Sequence, residues 1–236
     1  MDQEEINSNQ YSDFLKYPMS KQYIDQKNDI PISDLRRYSE YFVEFMTQSR
    51  VYAVGMVDMV NSSKISAQIG SLKSARYYQV FLNSMSKIIY KYGGIVIKNI
   101  GDCLFYYFSD SNKKDLINII ECSLEMTRSQ KSISKQFISD GLPGIDLRVS
   151  ADYGTVLLMK TSISERYDMF GLPVNMCSKI NRLAAKNQFV IGSDLFQIIK
   201  EFKGYQFKEI TDFSLGFKLS YPVYSVSEKY DQQKNS

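Results

Sequence analysis

The sequence predicts an α+β fold with a βαββαβ core, and three observations predict it. The run Val51-Tyr-Ala-Val-Gly-Met-Val57 reads as a buried central strand. A long stretch with apolar residues at helical spacing follows and stops at Gly93-Gly94. Two further strand pairs, each bracketing turn residues, flank a second long helical stretch. The order is the ferredoxin-like pattern with an extra strand, followed by a C-terminal α/β extension. With 236 residues, 44% hydrophobic and 23% charged, the chain suits one globular domain with appended segments.

The elements follow in order. Residues 1–32 are polar without a clear period and read either as mobile or as an arm over the surface. Ser33 or Asp34 caps a helix expected to run to Thr47, with Leu35, Tyr38, Phe42, Phe45 and Met46 as its stripe. That helix either packs on the main domain or supports a dimer. The main domain is expected over 51–226, after an N-terminal segment 1–50 and before a polar tail 227–236. Ser62 or Ser63 starts a helix that breaks near Gly70 and resumes from Leu72 to Tyr92. Ile95–Lys98 and Cys103–Phe108 make a hairpin around Asn99-Ile-Gly101. A helix is expected from Lys113 to Phe137. A second hairpin is expected from Asp146–Asp152 and Thr155–Lys160, turning at Tyr153-Gly154, with a loop over Ser162–Phe170. Gly171-Leu-Pro173 leads a helix to about Ala185. Phe189–Ile191 is a strand, Ser193 caps a short helix, and two strands lie near Tyr205–Ile210 and Pro222–Val226.

Composition excludes several chemistries. There is no histidine, so Ser-His-Asp and Cys-His catalysis, His-ligated zinc and histidine bases are out. Neither a P-loop nor a G-x-G-x-x-G is present. Cys103, Cys122 and Cys177 are few, odd in number and widely spaced, and read as reduced buried thiols in a cytoplasmic protein. A net charge of +3 gives no case for nucleic acid, and no run approaches the ~20 apolar residues of a membrane span. The acidic, polar start Met-Asp-Gln-Glu-Glu is unlike a secretory signal.

The chemistry that remains centres on two carboxylates. Asp58 ends the first apolar strand, and Asp102 sits in Lys98-Asn-Ile-Gly-Asp102. A buried strand does not end in a bare carboxylate unless something neutralises it. Two carboxylates within ~4 Å repel by roughly 4 kcal/mol at an effective dielectric of about 20. A hard divalent cation removes that cost, which points to Mg²⁺ or Mn²⁺. Strand, carboxylate, short loop and helix start also place backbone N–H groups beside Asp58, where phosphates bind.

Four segments resemble the class III nucleotidyl cyclases. Val57-Asp-Met-Val-Asn-Ser-Ser-Lys-Ile65 is similar to that family's first metal motif, and Lys98-Asn-Ile-Gly-Asp102-Cys-Leu-Phe to its Lys-x-x-Gly-Asp hairpin. Asp146-Leu-Arg-Val-Ser-Ala-Asp-Tyr-Gly154 resembles its Leu-Arg-Ile-Gly-x-x-x-Gly strand. Tyr167-Asp168-Met-Phe-Gly171-Leu-Pro-Val-Asn175-Met-Cys-Ser-Lys179 resembles its Tyr-Asp-x-x-Gly-x-x-Val-Asn-x-Ala-x-Arg segment. The blocks keep family order from about Val51 to Tyr224.

The resemblance implies an adenylyl cyclase that turns ATP into 3′,5′-cyclic AMP and pyrophosphate by two-metal catalysis. Asp58 and Asp102, with the Met59 carbonyl, are the implied ligands of two Mg²⁺ or Mn²⁺ ions. Ser62 and Ser63 lie at the implied phosphate cradle. Lys98 and Asp168 match the base-reading positions: a Lys donor suits adenine N1 and an Asp acceptor suits its N6 amine, whereas guanine presents the opposite pattern. Asn175 matches the ribose-orienting Asn. The family's sites lie between two protomers, and one chain carrying both half-sets implies a head-to-tail homodimer.

Three positions depart from the family. Lys179 stands where the family has a transition-state Arg, keeping the charge but losing the planar fork. Leu215 stands where a phosphate-binding Lys is usual, with Lys208 or Lys218 as possible substitutes. Asn61 replaces a glycine of the first motif. These losses open a second reading, a cyclase-like nucleotide-binding domain with little turnover that acts as a sensor or regulatory partner. An RNA-binding ferredoxin-like module is disfavoured because no basic-aromatic motif surrounds Tyr106, Tyr107 and Phe108. A diguanylate cyclase is disfavoured because Gly93-Gly94 continues into Ile-Val rather than acidic residues.

Overall fold

The computed structural model describes residues 43–109, 113–161, 167–214 and 220–229. Eight strands and five helices are present among them: β1 Val43–Met59, α1 Ser62–Ile69, α2 Ser71–Lys91, β2 Ile95–Ile100, β3 Cys103–Ser109, α3 Lys113–Ser139, β4 Leu147–Thr161, β5 Tyr167–Phe170, α4 Leu172–Asn181, β6 Gln188–Gly192, α5 Ser193–Ile199, β7 Tyr205–Ser214 and β8 Ser220–Glu228. The described chain falls into two compact units. Residues 49–156 with those from 169 onward form the larger; 43–48 and 157–168 belong to the smaller.

One sheet runs in the order β2-β3-β1-β4-β6-β8-β7, with β5 paired to β4. Its first four strands keep the ferredoxin-like arrangement that the βαββαβ order predicts, and β6, β8 and β7 extend it. β3 pairs antiparallel to both β1 and β2, β6 runs parallel to β4, and β8 is antiparallel to β6 and β7.

Alternation along the strands separates two faces. Ala53 and Val57 of β1, Leu104, Tyr106 and Phe108 of β3, and Phe189 and Ile191 of β6 join the main core with α2, α3 and α5. Val190, between two of those residues, packs instead with Met176 and Ile180 of α4. So α4 covers the opposite face. Gly55 lets the main core close: a Cβ there meets the Tyr106 ring at 2.3 Å. The Tyr106 hydroxyl is satisfied by Ser123 Oγ at 3.1 Å. The ring is therefore aromatic core, not a base-stacking platform.

Helix breaks fall where glycine permits them. Gly70, at φ +78°, separates α1 from α2, and Gly93, at φ +83°, follows α2. The turn of the β2–β3 hairpin is Gly101-Asp102, with Gly101 at φ +64°.

Four expectations are corrected. The helix expected to reach Thr47 is strand from Val43 onward, the start of β1; its earlier part lies outside the described residues. No hairpin forms at Tyr153-Gly154. Gly154 adopts φ +153°, which L side chains rarely adopt, and β4 continues unbroken to Thr161, with Pro173 packed 3.5 Å from the position of the missing Cβ. The strand Tyr167–Phe170, in a segment expected to be loop, pairs with β4. The helix expected to run to Ala185 ends at Asn181. Leu215 and Lys218 lie outside the described residues. Among the described residues no helix is long and apolar enough to cross a membrane.

Candidate functional site

The register of β1 on β3 sets the site. Val57 pairs with Leu104, so Asp58 on β1 and Asp102 in the β2–β3 turn emerge side by side just beyond the last paired residues. Their carboxyl groups lie close enough to act on each other by charge and by hydrogen bonding. Two carboxylates meet this closely only if they share a proton or a cation. Burial, then the charge and hydrogen bond of Asp102, push Asp58 up to about 6; Arg148 and the Met59 N–H act in the opposite sense. Among the described residues no group of three or more His, Cys, Asp or Glu side chains is placed to hold a metal. Among the described residues the site is a two-carboxylate pair.

Beyond Asp58 the chain turns sharply into α1. The Val60 N–H donates to Asp146 O at 2.9 Å, and Asn61 adopts the left-handed conformation, φ +59° and ψ +25°. Asparagine tolerates this region far better than most side chains, which is how the loop forms without the family's glycine. Ser62 is buried and Ser63 exposed at the first turn of α1. Asp146 is fastened in turn: its carboxylate accepts from Lys186 Nζ at 2.9 Å and Asn187 Nδ2 at 2.8 Å, which holds it below its usual range.

Arg148 is a site residue that motif reading quoted but gave no role. It lies on β4, half-buried, and its charge acts on Asp58. Its Nε is buried without a hydrogen-bond partner. An arginine inside the apolar strand Leu147–Ala151 was the available signal, since an interior cation needs an anion nearby. Cys103 borders the pair, and burial plus the charges of Asp58 and Asp102 push its thiol up to about 12. It is therefore a neutral thiol, not a nucleophile. Cys122 and Cys177 are buried, and all three cysteines are free.

The other expected residues occupy separate elements. Lys98 is exposed on β2 and pairs across from Phe105, itself across from Met56 of β1. Asn175 and Lys179 lie one turn apart on the exposed face of α4. Asp168 lies on β5 and belongs to the smaller unit. Of the sequence-derived set, the structure brings Asp58 and Asp102 into direct contact, with Met59 adjoining them.

Residues 46–227 match the family described as Adenylate and Guanylate cyclase catalytic domain. The chain belongs to this family. Among solved cyclases, the adenylyl cyclase CyaB from P. aeruginosa is similar at a TM-score of 0.71 and 21% identity, over 78% of this chain and 97% of that one. The guanylate cyclase domain of RhGC from Catenaria anguillulae, solved in complex with GTP, gives 0.68 and 14%, over 78% and 100%. An adenylate cyclase from Anabaena cylindrica is 26% identical over 131 residues, 53% of this chain. That stretch is 26% of the relative's own length. Adenylyl and guanylyl cyclases are both represented, so these likenesses establish a cyclase catalytic domain without fixing the base.

Proposed function

We propose that the chain is an adenylyl cyclase whose catalytic domain, residues 51–226, converts ATP to 3′,5′-cyclic AMP and pyrophosphate at the interface of a two-fold homodimer. The observation that carries this reading is the Asp58–Asp102 pair: two carboxyl groups close enough to perturb one another at a strand end, beside the start of a helix. All-oxygen donors fit Mg²⁺ or Mn²⁺, and Asp58, Asp102 and the Met59 carbonyl would hold two such ions. When bound, these ions lower the pKa of the ribose 3′-hydroxyl and neutralise triphosphate charge.

The chain's own residues do the rest. Asp58 gives up its shared proton so that both carboxylates are ionised. The backbone N–H groups at the start of α1, with Ser62 and Ser63, receive phosphate oxygens. Arg148 contributes positive charge that acts on Asp58. Asn175 orients the ribose, and Lys179 faces the charge that develops on the α-phosphate. The 3′-oxygen then attacks the α-phosphorus in line, forming the cyclic ester as the bond to pyrophosphate breaks. Base choice rests on two side chains taken singly: a Lys98 donor for N1 and an Asp168 acceptor for N6. The three free cysteines support a cytoplasmic setting.

A second reading is favoured by one feature. Lys179, exposed on α4, lacks the planar fork of arginine, which suits a nucleotide-binding partner domain with little turnover. A panel of ATP, GTP, CTP and UTP with Mn²⁺, read by mass spectrometry, separates the two. Cyclic AMP from ATP is expected. Thermal stabilisation by ATP without any pyrophosphate would establish the second reading, and cyclic GMP would move the assignment to guanylyl cyclase.

A further inference from the structure

Helix α4 presents Asn175 and Lys179 outward, and its buried side anchors it through one amide. Asn181, the last residue of α4, is only 5% exposed. Its Nδ2 lies 3.2 Å from Ser150 Oγ, 3.4 Å from Arg148 O and 3.5 Å from Met56 O. All three are acceptors, so the two amide protons span three groups on two strands. Met56 precedes Asp58 by two residues on β1, and Arg148 is the cation that acts on Asp58. Ser150 completes the tie: fully buried, its hydroxyl donates to Cys177 O at 2.9 Å, one turn back along α4. The Cys177 thiol also points at this junction, 3.4 Å from Ser150 O.

A buried amide is costly unless its bonds are made, and a made network fixes one geometry. The helix packs on the sheet through Met176 and Ile180, apolar contacts that tolerate sliding. The directional contacts at Asn181 and Ser150 do not.

We propose that Asn181 is a positioning residue for cyclisation. It sets the register of α4 against β1 and β4, and so fixes the half-site on α4 relative to the half-site around Asp58. In a two-fold dimer this matters twice, because each protomer's α4 serves its partner's carboxylate pair. The kinetic consequence rests on the cyclase reading; the register itself does not.

The test compares wild type with Asn181→Leu, which keeps volume but removes the donor. Hydrogen exchange of the full-length protein reads the tie directly. Amides of α4 are expected to exchange at least about tenfold faster, with those of α2 and α3 unchanged. Steady-state kinetics read the consequence. The kcat is expected to fall by about a hundredfold while KM moves less than about threefold, because Lys179 acts on charge that exists only in the transition state. A packing role alone lowers melting temperature and leaves kcat of the folded protein unchanged. Wild-type exchange in α4, or wild-type kcat, overturns the proposal. If wild type itself makes no cyclic nucleotide, the cyclase reading fails on that result, and the exchange comparison still decides the tie. Should Asn181→Leu not fold, Ser150→Ala removes one acceptor while leaving the amide. Faster α4 exchange is again expected, and unaltered exchange again overturns the proposal.

Discussion

The Tyr221 hydroxyl lies 2.7 Å from Asp152 Oδ2 and 3.2 Å from Asp194 Oδ2, so one hydroxyl proton faces two carboxyl groups. Asp152 is fully buried, and its Oδ1 also accepts from the Tyr153 N–H at 2.9 Å. Gly192 makes the cluster possible, because a Cβ there meets Asp152 Oδ1 at 2.6 Å and the Tyr221 hydroxyl at 2.7 Å. Burial is the main cause that pushes Asp152 up to about 7; Asp194 adds to it, and the bonds from Tyr221, Tyr153 and Leu195 oppose it. A protonated Asp152 can donate to the Tyr221 oxygen, freeing the phenol proton for Asp194.

The folded carboxyl holds its proton more tightly than the unfolded one, so its contribution is complete below about pH 4 and is lost as pH rises through about 7. The span is worth about 4 kcal/mol from this one group. Denaturant unfolding of wild type and Asp152→Asn should diverge across that window, the variant gaining relative stability as pH rises. Parallel curves would show that Asp152 is ionised throughout.

Removing either member of the carboxylate pair should separate catalysis from stability. Asp58→Asn and Asp102→Asn are each expected to lower kcat by at least about a hundredfold. Asp58→Asn should hold or raise the melting temperature of metal-free protein, since a buried ionisable group and its repulsive neighbour are relieved. Activity measured beside thermal melts checks both, and an active Asp102→Asn would remove that residue from the site.

Metal affinity should be pH-dependent for the same reason. Below about pH 6 an incoming cation must displace the proton that Asp58 holds. Apparent Mn²⁺ affinity is therefore expected to fall about tenfold per pH unit below that point. Titration by electron paramagnetic resonance from pH 5 to 7.5 reads this, and a flat profile argues against the pair as ligands.

The loop after Asp58 makes a backbone prediction. Asn61 at φ +59° should accept Gly with little change. Asn61→Val should cost about 1–2 kcal/mol, since a β-branched residue is strained there, lowering the melting temperature by about 2–8 °C. Equal stability of the two variants would mean that the loop relaxes out of the left-handed conformation.

Local features of this fold were legible in the sequence, and distant ones were not. Gly70, the Gly93-Gly94 stop and the β2–β3 turn announce themselves through short-range backbone chemistry. Asp58 and Asp102 stood out because each ends a strand or a turn. The Tyr153-Gly154 pair misled for the same local reason: it has turn composition, yet β4 runs through it unbroken to Thr161 within a sheet whose other strands are distant in sequence. Asn181 and Asp152 were invisible as junctions. Their partners, Met56 and Tyr221, are 125 and 69 residues away, and no periodicity encodes such contacts.

A protein without imidazole is expected to be electrically inert around neutrality. This one places two acids, Asp58 near 6 and Asp152 near 7, in the range where histidine normally titrates. Acidification through that interval thus loads protons onto the sheet itself, first at Asp152 beneath α5 and then at Asp58 in the carboxylate pair. Part of the domain's change in charge across that interval therefore arises in its interior.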